Sequence, residues 1–182
     1  MAKTAVIYCS NYGSTKLYAQ HIAGVLDADL HDLSLSKGLD FGKYGTIIFG
    51  GGLYAGKVNG IKFLKSNAEA LAGKNLVVFT VGIGDPTVAA NAQQILKGVN
   101  KALPKDLMKA THIFSFRGSL DFKSLKFMHR LIMKMVVGSI SKKKEEELTE
   151  DDRAMLRSAG DKVDYTDMAA TLPLVEYVSK LK

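Results

Sequence analysis

The chain has no tryptophan, a single cysteine and only three prolines in 182 residues. A lone Cys9 excludes an internal disulfide and a cysteine-built metal cluster, and it suits a reducing compartment. No uninterrupted apolar run approaches the ~20 residues a transmembrane helix needs. The opening MAKTAVIYCS lacks the apolar core, roughly 7–15 residues long, of a secretory signal. The expectation is a cytoplasmic protein, at most peripheral at the inner face of the membrane. Acidic residues are missing from one place in particular. Residues 122 to 144 contain none, yet they hold Lys123, Lys126, Arg130, Lys134, Lys142, Lys143 and Lys144. The net charge of +7 therefore belongs to this one segment, and any partner that reads charge should be sought there.

With 47% hydrophobic and 24% charged residues, the composition is that of a folded globular protein. At this length it predicts one domain over residues 1–182. Apolar, β-rich runs at TAVIYC (4–9), GTIIFGGG (45–52) and NLVVFTVGIG (75–84) read as strands buried on both faces. THIFSFRG (111–118) is a further strand, and ADLHDLSL alternates weakly enough to make a short one. Helical spacing appears at 15–26, 60–72, 88–102, about 122–137, and in the final TLPLVEYVSKL with Pro173 near its start. Residues 138–150 read as a charged loop. Thr149 followed three residues later by Asp152 is a capping box for another helix. Strands alternating with helices predict a mostly parallel, doubly wound α/β sheet with helices on both faces.

Three of the strands end in loops rich in glycine, serine or asparagine, and in such a sheet those loops share one edge, where ligands bind. The first, SNYGST, presents the hydroxyls of Ser10, Ser14 and Thr15, the amide of Asn11 and the N–H groups of a helix N-terminus, with Gly13 allowing the turn. It carries no P-loop lysine and no G-x-G-x-x-G, which points to a phosphate monoester rather than a nucleoside triphosphate or a dinucleotide. Ser and Asn are equally common as plain helix caps, so both readings stand from the loop alone. Four histidines (His21, His31, His112, His129) show no metal-ligand spacing and read as structural or exposed. No metal site is expected. Ser10 lacks a nucleophile elbow, and the KKKEEE run (142–147) reads as solvated.

An apolar first strand followed by Ser10, Gly13 and Thr15 in the pattern Ser-x-x-Gly-x-Thr resembles the FMN-phosphate loop of flavodoxins. GGGLYAGKVNG (50–60) and GIGDPT (82–87) occur where that family holds the flavin ring. The resemblance implies a five-stranded parallel sheet in the order 2-1-3-4-5 and FMN as cofactor. Its contacts would be Ser10, Asn11, Tyr12, Gly13, Ser14 and Thr15 at the phosphate, and Gly51, Gly52, Leu53, Tyr54, Gly82, Ile83, Gly84 and Asp85 at the ring. Many flavodoxins carry a second aromatic in the loop after the fourth strand. This chain has none between Gly82 and Thr87, so one ring face is left open or is covered by another segment.

RLIMKMVVG (130–138) and VDYTD (163–167) resemble the flavodoxin-type protoporphyrinogen oxidases of bacteria, whose fifth strand is followed by a basic helix ending in a similar sequence. Their ring loop, G-x-S-I-R-Y-G-H, matches here at Gly50 and Gly56 but not at its arginine. That resemblance implies an oxidoreductase passing hydrogen from a porphyrinogen-like substrate to a quinone. On a helical wheel, Lys123, Lys126, Arg130 and Lys134 share one sector. Phe122, Leu125, Phe127, Met128, Leu131, Ile132, Met135 and Val136 cover most of the rest. Such a helix suits a membrane surface, an acidic apolar substrate or an acidic redox protein. In that last case the chain is an electron carrier. It suits equally a sheet-packing helix with solvated lysines. Nothing in it resembles a nucleic-acid-binding motif.

Overall fold

The computed structural model describes residues 3–36, 38–54, 56–157 and 161–181. Its elements run β1 (Lys3–Cys9), α1 (Ser14–Leu26), β2 (Asp29–Asp32), β3 (Tyr44–Tyr54), β4 (Lys57–Val58), α2 (Lys62–Ser66), α3 (Ala68–Leu71), β5 (Asn75–Gly82), α4 (Ala89–Ala102), α5 (Lys105–Lys109), β6 (Thr111–Arg117), β7 (Ser119–Asp121), α6 (Phe127–Ile140), α7 (Glu150–Arg157), β8 (Lys162–Asp164) and α8 (Leu172–Ser179). Five strands pair in parallel in the order β2-β1-β3-β5-β6, the 2-1-3-4-5 arrangement expected. β4 folds back antiparallel on the end of β3, and β7 pairs antiparallel with β8 as a separate ribbon.

Period-two alternation along the strands builds the core. Ala5, Ile7, Ile47, Phe49, Leu76 and Val78 face Leu64, Leu71, Val99 and Leu107 of α2, α3, α4 and α5, with Leu103 from the link between the last two. Val6, Tyr8, Ile48, Val77, Phe79 and Phe116 face Tyr18, Ala19 and Ile22 of α1 and Leu174 and Val178 of α8. Burial on both faces is the reason these strands read as unbroken apolar runs.

Tyr18 ties the second layer together. It is fully buried, its hydroxyl donates to the Arg117 carbonyl (2.7 Å), and the hydroxyl oxygen accepts from Asp167 N–H (2.9 Å). One phenol thus joins α1, the end of β6 and the approach to α8. Tyr18→Phe keeps the ring but leaves the Arg117 carbonyl and the Asp167 N–H, both part-buried, without this partner. It is expected to cost about 1–3 kcal/mol, read as a lower denaturant midpoint at unchanged m-value.

Several expectations need correction. The strand expected over 45–52 runs on to Tyr54, so Gly51 and Gly52 lie inside β3. A side chain at Gly51 would strike Val58 and the Asn59 carbonyl of the β4 hairpin, and one at Gly52 would strike the Tyr54 ring. These glycines mark close approach rather than the start of a loop. The helix expected over 60–72 breaks at Asn67, whose side-chain amide donates to the Phe63 carbonyl (2.8 Å) and competes with the helical ladder.

The helix expected over about 122–137 begins at Phe127 and continues to Ile140. Residues 119–121 are instead taken by the ribbon with β8, which leaves Lys123 and Lys126 ahead of the helix. Arg130 is not simply one of a solvated row, because its guanidinium donates to the Lys123 and Leu125 carbonyls (2.8 and 3.2 Å) and holds the turn that leads into α6. The charged loop expected over 138–150 contains the end of α6 and a short 3-10 turn at Glu145–Glu147. The capping box forms as read: Asp152 N–H donates to the Thr149 hydroxyl (3.1 Å) and Thr149 N–H to the Asp152 carboxylate (3.0 Å). The Asp152 carboxyl sits below its usual range. Burial pushes it up, but Lys143 at 2.8 Å and the Thr149 donors outweigh that.

Candidate functional site

β1 ends at Cys9 and the chain turns through residues 10–13 into α1. Gly13 makes the turn possible, with φ of 99° and ψ of −35°, a conformation that side-chain-bearing residues avoid. The Ser10 hydroxyl accepts from Gly13 N–H (3.1 Å) and closes the loop on itself. α1 then starts without any side-chain cap and with no acidic residue in its first turn. This removes the reading of Ser10 and Asn11 as plain helix caps. Neither Ser10 nor Asn11 caps the helix, so the N–H groups of its first turn are left as a positive pole.

Ser14 and Thr15 are buried beneath that pole. The Ser14 hydroxyl is not free for a ligand. It lies 2.9 Å from the Ser119 hydroxyl and accepts from Ser119 N–H (3.0 Å), pinning the loop to the ribbon after β6. Gly118 permits this contact, since a side chain there would come within 2.8 Å of Val81 and 3.0 Å of Ser14.

A cavity of about 300 Å³ opens beside the loop, within the usual range for a small-molecule site. Of the residues anticipated from the sequence, Tyr12, Ser14, Thr15, Leu53, Tyr54, Gly82, Ile83 and Gly84 line it. Ser10, Asn11 and Gly13 shape the loop without lining the cavity, and Gly51 and Gly52 lie back in β3. Asp85 is turned to another task. Its carboxylate accepts from the Thr87 N–H (2.8 Å) and hydroxyl (2.6 Å) and stands 3.6 Å from Arg117. Those Thr87 bonds, helped by Arg117, hold its carboxyl below the usual range. Arg117 also donates to the Ile83 carbonyl (3.1 Å) and lies 3.9 Å from the centre of the Tyr165 ring. The 82–87 loop is thereby braced by its own acid and a strand-end arginine.

The remaining wall was not anticipated. The inner face of α6 closes the cavity with His129, Ile132, Met133 and Val136, joined by Leu120 and Leu125. His129 stacks on Tyr54, with centroids 5.0 Å apart and planes 18° from parallel. Tyr12 meets both rings edge-on at 5.7 Å. The Tyr12 hydroxyl lies 2.6 Å from Nδ1 of His129 and accepts from Lys126 N–H (3.2 Å). That pattern is satisfied when Tyr12 donates to Nδ1 and His129 carries its proton on Nε2. No aromatic stands between Gly82 and Thr87, and the ring that meets Tyr54 comes from α6. Burial pushes the Tyr54 hydroxyl up to about 12, so it stays protonated, beside the Asn11 backbone N–H. The apolar walls, two parallel rings, bare glycine backbone and an uncapped helix end suit a flat ring system that bears an anionic tail.

The family model described as "Flavodoxin domain" matches residues 5–148. Among solved structures, a flavoprotein from Lactobacillus acidophilus NCFM in complex with FMN is 17% identical, with a TM-score of 0.48, over 64% of this chain and 93% of that one. Flavodoxin 2 from Bacillus cereus is 19% identical over 64% of this chain and 84% of that one, with a TM-score of 0.43. A WrbA-like flavodoxin from Agrobacterium tumefaciens is 21% identical over 63% of this chain and 83% of that one, with a TM-score of 0.44. No curated protein matches the chain. With the family model spanning the phosphate-type loop, the ring-side loops and α6, the chain belongs to the flavodoxin domain family.

Proposed function

We propose that the chain is an FMN-dependent oxidoreductase. The observation that carries this reading is the uncapped N-terminus of α1, opening into an apolar cavity of about 300 Å³ that ends at paired rings. The first-turn N–H groups and the Thr15 hydroxyl would hold the phosphate, with Ser10 and Gly13 fixing the loop. Leu53 and the stacked Tyr54–His129 pair would border the ring, and the backbone of Gly82, Ile83 and Gly84 would reach its polar edge. Bound FMN supplies the redox chemistry, which no side chain of the cavity has. The protein's own part is to bind and orient the ring, exclude water through α6, and keep the Tyr54 phenol neutral against it. Titrating the purified chain with FMN is expected to quench flavin fluorescence to saturation at one equivalent. A chain that never takes up FMN overturns the reading.

The substrate is proposed to be a porphyrinogen-like macrocycle, with a quinone as acceptor. Support comes from the RLIMKMVVG and VDYTD resemblance and from the apolar α6 wall over the ring end of the cavity. Anaerobic incubation of the FMN-loaded protein with protoporphyrinogen and a menaquinone analogue is expected to give fluorescent porphyrin at a saturable rate. If FMN binds but no porphyrin forms, while an acidic redox protein exchanges electrons in a salt-sensitive way, the chain is an electron carrier instead.

A further inference from the structure

α6 has two apolar faces, and only one of them belongs to the cavity. At 100° per residue, His129, Ile132, Met133, Val136 and Ile140 fall on the arc turned inward. On the opposite arc Phe127, Met128, Leu131 and Met135 stand in solvent, Phe127 at 79% and Met135 at 63% exposure. An exposed arc of this kind on a 14-residue helix is unlike the scattered single apolar residues of an ordinary surface.

The charge carried by residues 122–144 is of one sign. Lys134 and Arg130 run along one flank, Lys123 and Lys126 lie at the helix start, and Lys142 and Lys144 follow its end, with Lys143 between them paired to Asp152 (2.8 Å). No acidic residue interrupts residues 122–144, and among the described residues no carboxylate pairs with Lys123, Lys126, Arg130 or Lys134. Arg130 holds the turn before α6 through the Lys123 and Leu125 carbonyls, so the basic fringe is fixed in place beside the apolar arc.

We infer that the outward face of α6 docks on an anionic lipid bilayer. Phe127, Met128, Leu131 and Met135 enter the interfacial region while the lysines meet lipid phosphates. The helix lies on the surface and does not cross it. Fourteen residues span about 21 Å against a hydrocarbon core of about 30 Å, and no described helix is long and apolar enough to traverse a membrane. An apolar arc with basic residues along one flank and beyond both ends fits a surface that is greasy within and negative at its edge. A helix so docked has the bilayer on one side and the cavity on the other, which gives a bilayer-dissolved reactant a short path to the site.

The docking stands without the cofactor reading and is tested without it. The full chain is sedimented with vesicles of phosphatidylcholine and with vesicles containing phosphatidylglycerol as well. Binding is expected only to the second, and to weaken as salt shortens the screening length. Phe127→Asp and Met135→Asp are each expected to weaken vesicle binding about tenfold or more, and Lys126→Glu with Lys134→Glu to weaken it most at low salt. Neither Phe127 nor Met135 lines the cavity, so the melting temperature and FMN uptake of their variants should match the parent. Three results overturn the proposal: no binding to anionic vesicles, binding untouched by both Asp variants in correctly folded protein, or a dimer in solution that Phe127→Asp converts to monomer.

Discussion

Gly50→Ala is expected to cost about 3 kcal/mol or more, lowering the melting temperature by about 6–12 °C at a chain length near 180 residues. Gly50 sits at the centre of the sheet, paired with Tyr8 of β1 on one side and Phe79 of β5 on the other. The Phe79 ring lies across the space that a Cβ would occupy. Phe79 is fully buried and packs on Phe116, with ring centroids 5.7 Å apart, so it cannot swing away without disturbing a second aromatic. Glycine in a strand ordinarily weakens it, and replacement by alanine ordinarily helps. Here the sign reverses because overpacking outweighs the entropy gained. A double-mutant cycle with Phe79→Leu isolates the cause. The pair should be less destabilised than the sum of the single variants, by roughly 1 kcal/mol or more. Additive losses would show that the clash with Phe79 is not the origin.

The same glycine shows how the sheet could be read from the sequence. Runs such as AVIY, TIIF and LVVF are buried on both faces, and only a parallel sheet layered by helices asks for that. Strand order followed from the family resemblance, not from the residues. What misled was glycine itself. Gly51 and Gly52 read as the end of a strand, whereas their missing side chains admit Val58, the Asn59 carbonyl and Tyr54. Those neighbours come from a hairpin that is only two residues long on its return strand, too short to leave a periodic signal. The helix at 122–137 was placed too early for a related reason. Residues 119–121 join a ribbon whose partner lies more than forty residues further on.

The site was legible where its chemistry is local. Ser10, Gly13, Ser14 and Thr15 lie within one turn of chain, and the uncapped helix they open follows from that short stretch. Its long-range parts were not legible. His129 lies 117 residues from Tyr12 and was read as structural or exposed, because a lone histidine has no pattern until the fold sets it against two tyrosines. Ser119 lies 105 residues from Ser14, which it holds. The helical wheel placed the apolar residues of α6 around the basic stripe. It could not divide them into an inward and an outward arc, since that division depends on where the cavity is. One cue did exist: with no aromatic after Gly82, the sequence leaves that side open or covered by another segment, and residues of α6 line the cavity there.

Riboflavin, which lacks the phosphate, is expected to bind at least 100-fold more weakly than FMN. Two or more hydrogen bonds from the first turn of α1 to a charged phosphate, each worth about 1.5–3 kcal/mol, account for that gap. Gly13→Ala should close part of it in a specific way. At φ of 99° the alanine is strained even though nothing lies within 4 Å of its Cβ, so the penalty is conformational rather than steric. In the ligand-free variant the loop relieves that strain by rotating residue 13, which turns its N–H from Ser10 and disturbs the first turn. Binding phosphate then requires the strained geometry again, at about 1–3 kcal/mol. FMN affinity should fall about tenfold to 100-fold, while riboflavin, which makes no use of the loop, is held as before. Equal losses for both ligands would mean that the substitution damages the ring end of the cavity, and that the phosphate does not sit at the N-terminus of α1.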